Sequence, residues 1–162
     1  IARAIDAAQG LTADLRTDMD AWSKYHVALL MPSLAPALYA CGTDRHRLMR
    51  TRDAIVLAIR AIREGFRVLR SKGLPVTPSK LRMFAWLPEP LMVYGFRKRF
   101  DNPKMDIAMV RHANAARDEM KQIADEFRAL ARTTSVPTPA MDRLYSHIEG
   151  ARPPSAECFL AG

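Results

Sequence analysis

The segment RDAIVLAIRAIREGFRVLRSKG, residues 52–73, decides the fold class of this chain. Its large apolar side chains recur every three or four residues, at Ile55, Ile59, Ile62, Phe66 and Leu69. This period places them along one side of an α-helix that faces a core. The opposite side carries arginines, and Gly73 stands where a helix commonly ends. The pattern predicts a long amphipathic helix that begins after Thr51.

The same helical period continues on both sides of that segment. It predicts a helix from about residue 21 that is kinked by prolines and ends at Gly42, two shorter helices after Thr77 and Pro78, and a second long helix over 105–132. Thr138 before Pro139 has the pattern of a helix start.

Together these patterns predict the fold class and the domain organisation. We predict an all-α helical bundle that forms one substrate-binding or dimerisation domain over residues 1–150, followed by a loose tail over residues 151–162.

The composition fits a single domain without a metal or a membrane span. The chain has 162 residues, of which 49% are hydrophobic. Two distant cysteines and four scattered histidines show no zinc-ligand spacing, so we expect no metal and a reduced, cytoplasmic protein. The uncharged run over 27–42 is shorter than a membrane span and contains two prolines, so we expect a buried helix there and no membrane partner.

The net charge of +8 suits an acidic partner such as nucleic acid, a membrane surface or a phosphorylated cofactor. A nucleic-acid interface would use the basic clusters Arg45, Arg47, Arg50, Arg52 and Arg97-Lys98-Arg99. These residues are spread over several predicted helices and form no recognition-helix motif, which disfavours nucleic acid. The chain also lacks GxGxxG, GxxxxGK[ST], HExxH and GxSxG motifs, so we do not expect it to catalyse redox chemistry by itself.

Three segments carry a resemblance to a known family. They are DAWSKYHVALLMPSLAPAL (20–38), RAIREGFRVLRSKGLPV (60–76) and RDEMKQIADEFRALARTTSVPTPAMDRL (117–144). In this order and spacing they resemble the C-terminal helical domain of ketopantoate reductase, whose fold is that of the 6-phosphogluconate dehydrogenase-like proteins. Lys24 then falls on the family's catalytic lysine and Glu119 on its active-site glutamate.

The resemblance implies an oxidoreductase that reduces a 2-oxo acid or a related carbonyl with NADP(H). The cofactor would be bound mainly by an N-terminal Rossmann domain, and the protein would be a homodimer. We expect that domain to lie outside this chain, because Ile1 already begins a helical pattern. Lys24 would act as the general acid, and Glu119 would orient it or bind a substrate hydroxyl.

The substrate-binding positions depart from the family pattern. Its two asparagines after the lysine are Ala28 and Pro32 here, and its serine is Ala108. As a hypothesis, the replacement polar contacts come from His26, His112 and Asn114. The alternative is a non-catalytic dimerisation or interaction domain with a decayed site.

Overall fold

The structure is a computed structural model, which describes residues 17–100, residue 110 and residues 117–149. Within these residues it is all helical, without strands, as predicted. The α-helices are α1 (Met19–Leu29), α2 (Ala35–Ala40), α3 (Arg45–Arg50), α4 (Arg52–Ser71), α5 (Met83–Trp86), α6 (Glu89–Phe100), α7 (Arg117–Arg132) and α8 (Pro139–Glu149). A π-helical turn over Leu30–Leu34 joins α1 to α2, and a 3-10 turn over Ser79–Arg82 precedes α5.

The predicted proline kink is the π-helical turn between α1 and α2. Proline has no backbone N–H, so Pro32 cannot donate to a preceding carbonyl as a helical residue does. The Ser33 hydroxyl donates instead to the Leu29 carbonyl at 2.6 Å and lies 3.4 Å from the Ala28 carbonyl. The helix therefore continues through the two prolines with altered winding. Gly42, with a positive φ of 70°, follows its end as predicted.

Helix α4 is the centre of the bundle, and α1, α6 and α8 pack around it. Ile55, Ile59 and Ile62 are completely or almost completely buried. Burying one such side chain stabilises a fold by about 1.5–3 kcal/mol. The helix ends at Ser71 and Gly73 follows it as predicted, with a φ of 77° that lets the Leu74 N–H reach back to the Leu69 carbonyl at 3.2 Å.

A row of aromatic rings connects α4 to the helices on one side of it. Phe66 packs edge-on against Tyr25 and Phe84, with ring centroids 5.0 and 5.5 Å apart. Phe84 contacts Phe96 in the same way at 6.1 Å. Edge-to-face contacts of this kind add to the energy of apolar burial. They fix α5 and α6 against α1 and α4.

Two arginines from the predicted basic clusters hold helix ends. Arg45 is buried and donates to the Phe100 carbonyl at 2.9 Å, at the end of α6. Arg97 donates to the Met49 carbonyl at 2.8 Å, in the last turn of α3. A cation at a helix C-terminus binds carbonyls that have no partner within the helix. Arg45 and Arg97 therefore have structural roles, although both belong to the basic clusters considered for a nucleic-acid interface.

Several boundaries differ from the prediction. Thr77 does not cap a helix, because the 3-10 turn begins only at Ser79 and the Thr77 hydroxyl donates to Asp18 at 2.5 Å. Asp18 precedes α1 but its side chain makes no capping hydrogen bond. Of the helix predicted over 105–132, the structure describes residue 110 and α7.

Candidate functional site

Lys24 lies in the middle of α1 and forms an ion pair one helical turn back. Its Nζ lies 2.6 and 2.5 Å from the two carboxylate oxygens of Asp20. Residues four apart lie on the same face of a helix, which makes this pairing possible. The Lys24 side chain is 43% exposed and that of Asp20 is 74% exposed. The ammonium is therefore held in position at the surface and can be reached by another molecule.

The face of α1 that carries Lys24 runs into the core within two turns. Ala28 is completely buried, and Pro32 is buried in the π-helical turn. Ala28 packs on α4 at Gly65, where an added Cβ would lie 3.2 Å from the Ala28 Cβ. The two family asparagine positions are thus filled by helix packing, and of this stripe only the turn at Lys24 reaches the surface.

Helix α1 is also fixed by contacts with the segment that follows α4. Tyr25 is buried next to Lys24 and donates through its hydroxyl to the Leu74 carbonyl at 3.2 Å. Burial raises the pKa of Tyr25, and the nearby charge of Arg70 partly opposes this. Asp18 accepts from Thr77, as described above. These contacts position the backbone of α1 on both sides of Lys24.

His26 stacks on Trp22 and lies on a different side of α1 from Lys24. The two rings are 5.2 Å apart and almost parallel, at 6°. Residues two apart do not face each other on a helix, so this geometry does not direct the imidazole at the Lys24 ammonium. His26 is exposed, and its substrate contact stays a prediction.

Glu119 is exposed in the first turn of α7, where a carboxylate is favourable because of the helix dipole. No hydrogen bond or ion pair joins Lys24 to Glu119, both of which the structure describes, and the Lys24 ammonium binds Asp20. Any shared action of the two groups would need a substrate between them. His112, Asn114 and Ala108 lie outside the described residues.

Two carboxylates have partners in the structure that the sequence analysis did not assign to them. Asp20 lies four residues before Lys24, and this spacing is itself a signal for an ion pair on a helix. Glu64 is buried on α4 and accepts hydrogen bonds from the backbone N–H groups of Ala140 and Met141, at 3.1 and 2.9 Å. Since those residues are 76 and 77 positions away, no local pattern could reveal this contact.

The described ranges contain neither a metal-binding cluster nor a membrane-spanning helix. There, no group of three or more His, Cys, Asp or Glu side chains could hold a metal ion. Each helix of the same ranges is too short or too polar to cross a bilayer.

Comparison with known families gives one match. A family model described as "Ketopantoate reductase PanE/ApbA C terminal" matches residues 16–152, which is most of the chain and includes both Lys24 and Glu119. No curated protein and no solved structure matches the chain at the level of significance applied.

Proposed function

Because the chain belongs to the family of ketopantoate reductase C-terminal domains, we propose that it is the substrate-side domain of an NADP(H)-dependent reductase of a 2-oxo acid or a related carbonyl. The observation that carries this proposal is the ammonium of Lys24, which is exposed and oriented by Asp20. The hydride would come from NADPH, which this family binds in its N-terminal domain. An exposed lysine fits a cofactor brought by a second domain.

The chemistry assigned to Lys24 is general acid catalysis. When hydride adds to the carbonyl carbon, a C–H bond forms and the π electrons of the C=O bond move to oxygen. The Lys24 ammonium would stabilise that charge and then transfer a proton to the oxygen, which leaves a neutral amine and a hydroxy acid. Asp20 restricts the position of Nζ through two short contacts.

The remaining site residues have proposed roles in binding the substrate. Glu119 would accept a hydrogen bond from a substrate hydroxyl, which is consistent with its exposure and its lack of contact with Lys24. His26, His112 and Asn114 would replace the polar contacts that the family draws from its asparagines and serine. Because Ala28 and Pro32 are buried, these replacements must approach from outside that stripe of α1.

The test is NADPH oxidation by the full-length protein with a panel of 2-oxo acids. We expect Lys24→Ala to lower kcat/KM by about 10²- to 10⁴-fold with the best acid, because a positioned general acid contributes that much. Lys121→Ala is a matched control. Lys121 forms an ion pair with Asp125 at 2.7 Å and at the same spacing, and its side chain is 42% exposed. The control should keep its activity, and equal losses in both variants would contradict the proposal.

A second candidate function has one specific observation in its favour. The packing of Ala28 on Gly65 closes a position where the family has a polar side chain. This is what a decayed site would look like in a non-catalytic dimerisation or interaction domain. Absence of lysine-dependent turnover with every acid of the panel would favour this candidate over the enzyme.

A further inference from the structure

A small cavity of about 150 Å³ opens at the surface between α4 and α5. Its wall includes four arginines, namely Arg63, Arg67, Arg70 and Arg82. Phe66 and Phe84, which are buried and packed against each other, belong to the apolar part of the wall. No aspartate or glutamate belongs to the lining, so the charge of the cavity is uniformly positive.

Arg63 is the fixed member of this group. It donates to the Phe84 carbonyl at 2.8 Å and to the Leu87 carbonyl, and it lies 3.6 Å from a Glu89 oxygen. Glu89 in turn accepts from Arg60 at 2.8 Å, and this contact holds the pKa of Glu89 below its ordinary value. The Glu89 carboxylate beside Arg63 is therefore already engaged by Arg60, and Arg63 holds α5 in place against α4.

The other three arginines make no contacts of this kind. Among the described residues, Arg67, Arg70 and Arg82 form no hydrogen bond or ion pair, and all three are exposed. Arg63, Arg67 and Arg70 follow one another at spacings of four and three along α4, so they are neighbours on one helix face. Like charges at these spacings repel each other and destabilise a helix. An anion placed among them would relieve that repulsion.

We propose that this arginine cavity binds the phosphoryl group of a small phosphorylated molecule. Guanidinium groups bind phosphate through paired N–H donors, and several of them around one site can engage its oxygens from different directions. Sites for whole drug-sized ligands have volumes of roughly 300–1,000 Å³, so about 150 Å³ suits one such group rather than an entire ligand. The rest of the molecule would lie outside the cavity. This inference does not depend on the proposed reductase activity.

The first experiment is calorimetric titration of the full chain with inorganic phosphate, with sodium chloride used to keep the ionic strength constant. We expect saturable binding at one site, and acetate should bind at least about tenfold more weakly because it offers only two oxygens. Arg67→Gln and Arg70→Gln should each weaken phosphate binding about tenfold, since each removes a charge-assisted hydrogen bond. Arg67→Lys keeps the charge without the paired donors and should give an intermediate affinity.

Arg132→Gln is the control, because it changes the net charge by the same amount as Arg67→Gln. Arg132 is exposed at the end of α7 and does not line the cavity. It should leave phosphate affinity unchanged, and circular dichroism should show the same helicity for every variant. The proposal is overturned if phosphate shows no saturable binding or if Arg132→Gln weakens it as much as Arg67→Gln. It is also overturned if a DNA or RNA duplex binds more tightly than phosphate with the same dependence on Arg67, which would assign the arginines to a nucleic-acid surface.

Discussion

Lys24 and Ala28 lie one turn apart on the same face of α1 and have opposite surroundings. Lys24 reaches the surface and binds an exposed carboxylate, whereas Ala28 meets the backbone of α4 at Gly65. The two helices approach so closely there that only small residues fit on both sides. A longer side chain at position 28 would require α1 and α4 to move apart. The alanine is therefore required by packing in this chain.

Restoring the family's asparagine at this position should destabilise the fold. Ala28→Asn would add volume in a contact with no spare space and would bury an amide without an evident partner. We expect a loss of about 2–4 kcal/mol in the free energy of unfolding, measured by urea denaturation.

Ala129→Asn is the matched control for that measurement, because Ala129 is exposed in the last turn of α7. It should cost only the difference in helix propensity, about 0.5 kcal/mol. An Ala28→Asn variant as stable as this control would show that position 28 is open, and would make a polar substrate contact there feasible.

The site could be predicted from sequence only in part, and the reason is visible at single residues. The family resemblance assigns site roles to Lys24 and Glu119, and these stay predictions; the structure joins Lys24 to Asp20 and leaves Glu119 exposed on another helix. A linear motif assigns residue types to positions and carries no distance between helices. Whether a substrate connects these two groups depends on packing with a second domain, which local patterns do not encode.

Among the helices, α8 depends most clearly on a partner far away in sequence. It begins at Pro139 as predicted, but Glu64 of α4 provides the acceptor for its first free N–H groups. The Thr138 hydroxyl, which a local capping pattern would assign to this role, donates to Asp142 at 3.3 Å instead. A buried carboxylate thus caps one helix from another and fixes their relative position.

Removing this cap should loosen α8. Glu64→Ala leaves two buried N–H groups without acceptors, and we expect the free energy of unfolding to fall by about 2–4 kcal/mol. Glu64→Gln retains one acceptor oxygen and should be affected less. Hydrogen exchange should show lost protection first in α8. Unchanged protection in Glu64→Ala would contradict the capping role.

The same residue gives a pH dependence with a definite sign. Burial raises the pKa of Glu64 above its ordinary 4.5, although the two backbone N–H groups partly oppose this effect. The folded state then binds the proton more tightly than the unfolded state. The stability of the wild type relative to Glu64→Gln should therefore increase as the pH falls through the raised folded pKa towards about 4.5, and decrease as the pH rises. A difference that is constant over this range would contradict the raised pKa.

Most helices could be predicted because their signals are local. The apolar period of α4, its glycine stop and the proline start of α8 all act within a few residues. The errors concern contacts between segments, such as Thr77 with Asp18 and Arg97 with the end of α3. A helix end needs some acceptor or donor, but sequence alone does not say whether a neighbour or a distant element supplies it.

At the scale of the whole molecule, α5 and α6 expose apolar side chains that the bundle does not cover. Trp86 is 71% exposed and Tyr94 is 66% exposed, and Met83 and Leu91 are also exposed on these helices. On each helix the two apolar residues are three apart and therefore share a face. Large exposed apolar surfaces commonly mark interfaces. We propose that this α5–α6 apolar surface pairs with a second copy of the chain in a homodimer.

Trp86→Ser should weaken that dimer at least about tenfold in sedimentation equilibrium, because a large aromatic residue in an interface commonly contributes 2 kcal/mol or more. Met19→Ser is the control, since Met19 is an exposed apolar residue of α1, outside this surface. A monomeric wild type, or equal weakening by both substitutions, would contradict the pairing.

If Lys24 supplies the proton in carbonyl reduction, as we propose, chemical rescue should restore activity to a variant that lacks this lysine. Added methylammonium can occupy the space left in Lys24→Ala of the full-length protein and donate in place of the missing side chain. We expect NADPH-dependent reduction by this variant to rise with methylammonium concentration to a plateau, while the wild type does not respond. Reduction by Lys24→Ala at the wild-type rate, or a variant that is inactive at every methylammonium concentration while the wild type reduces the same acid, would contradict the claim.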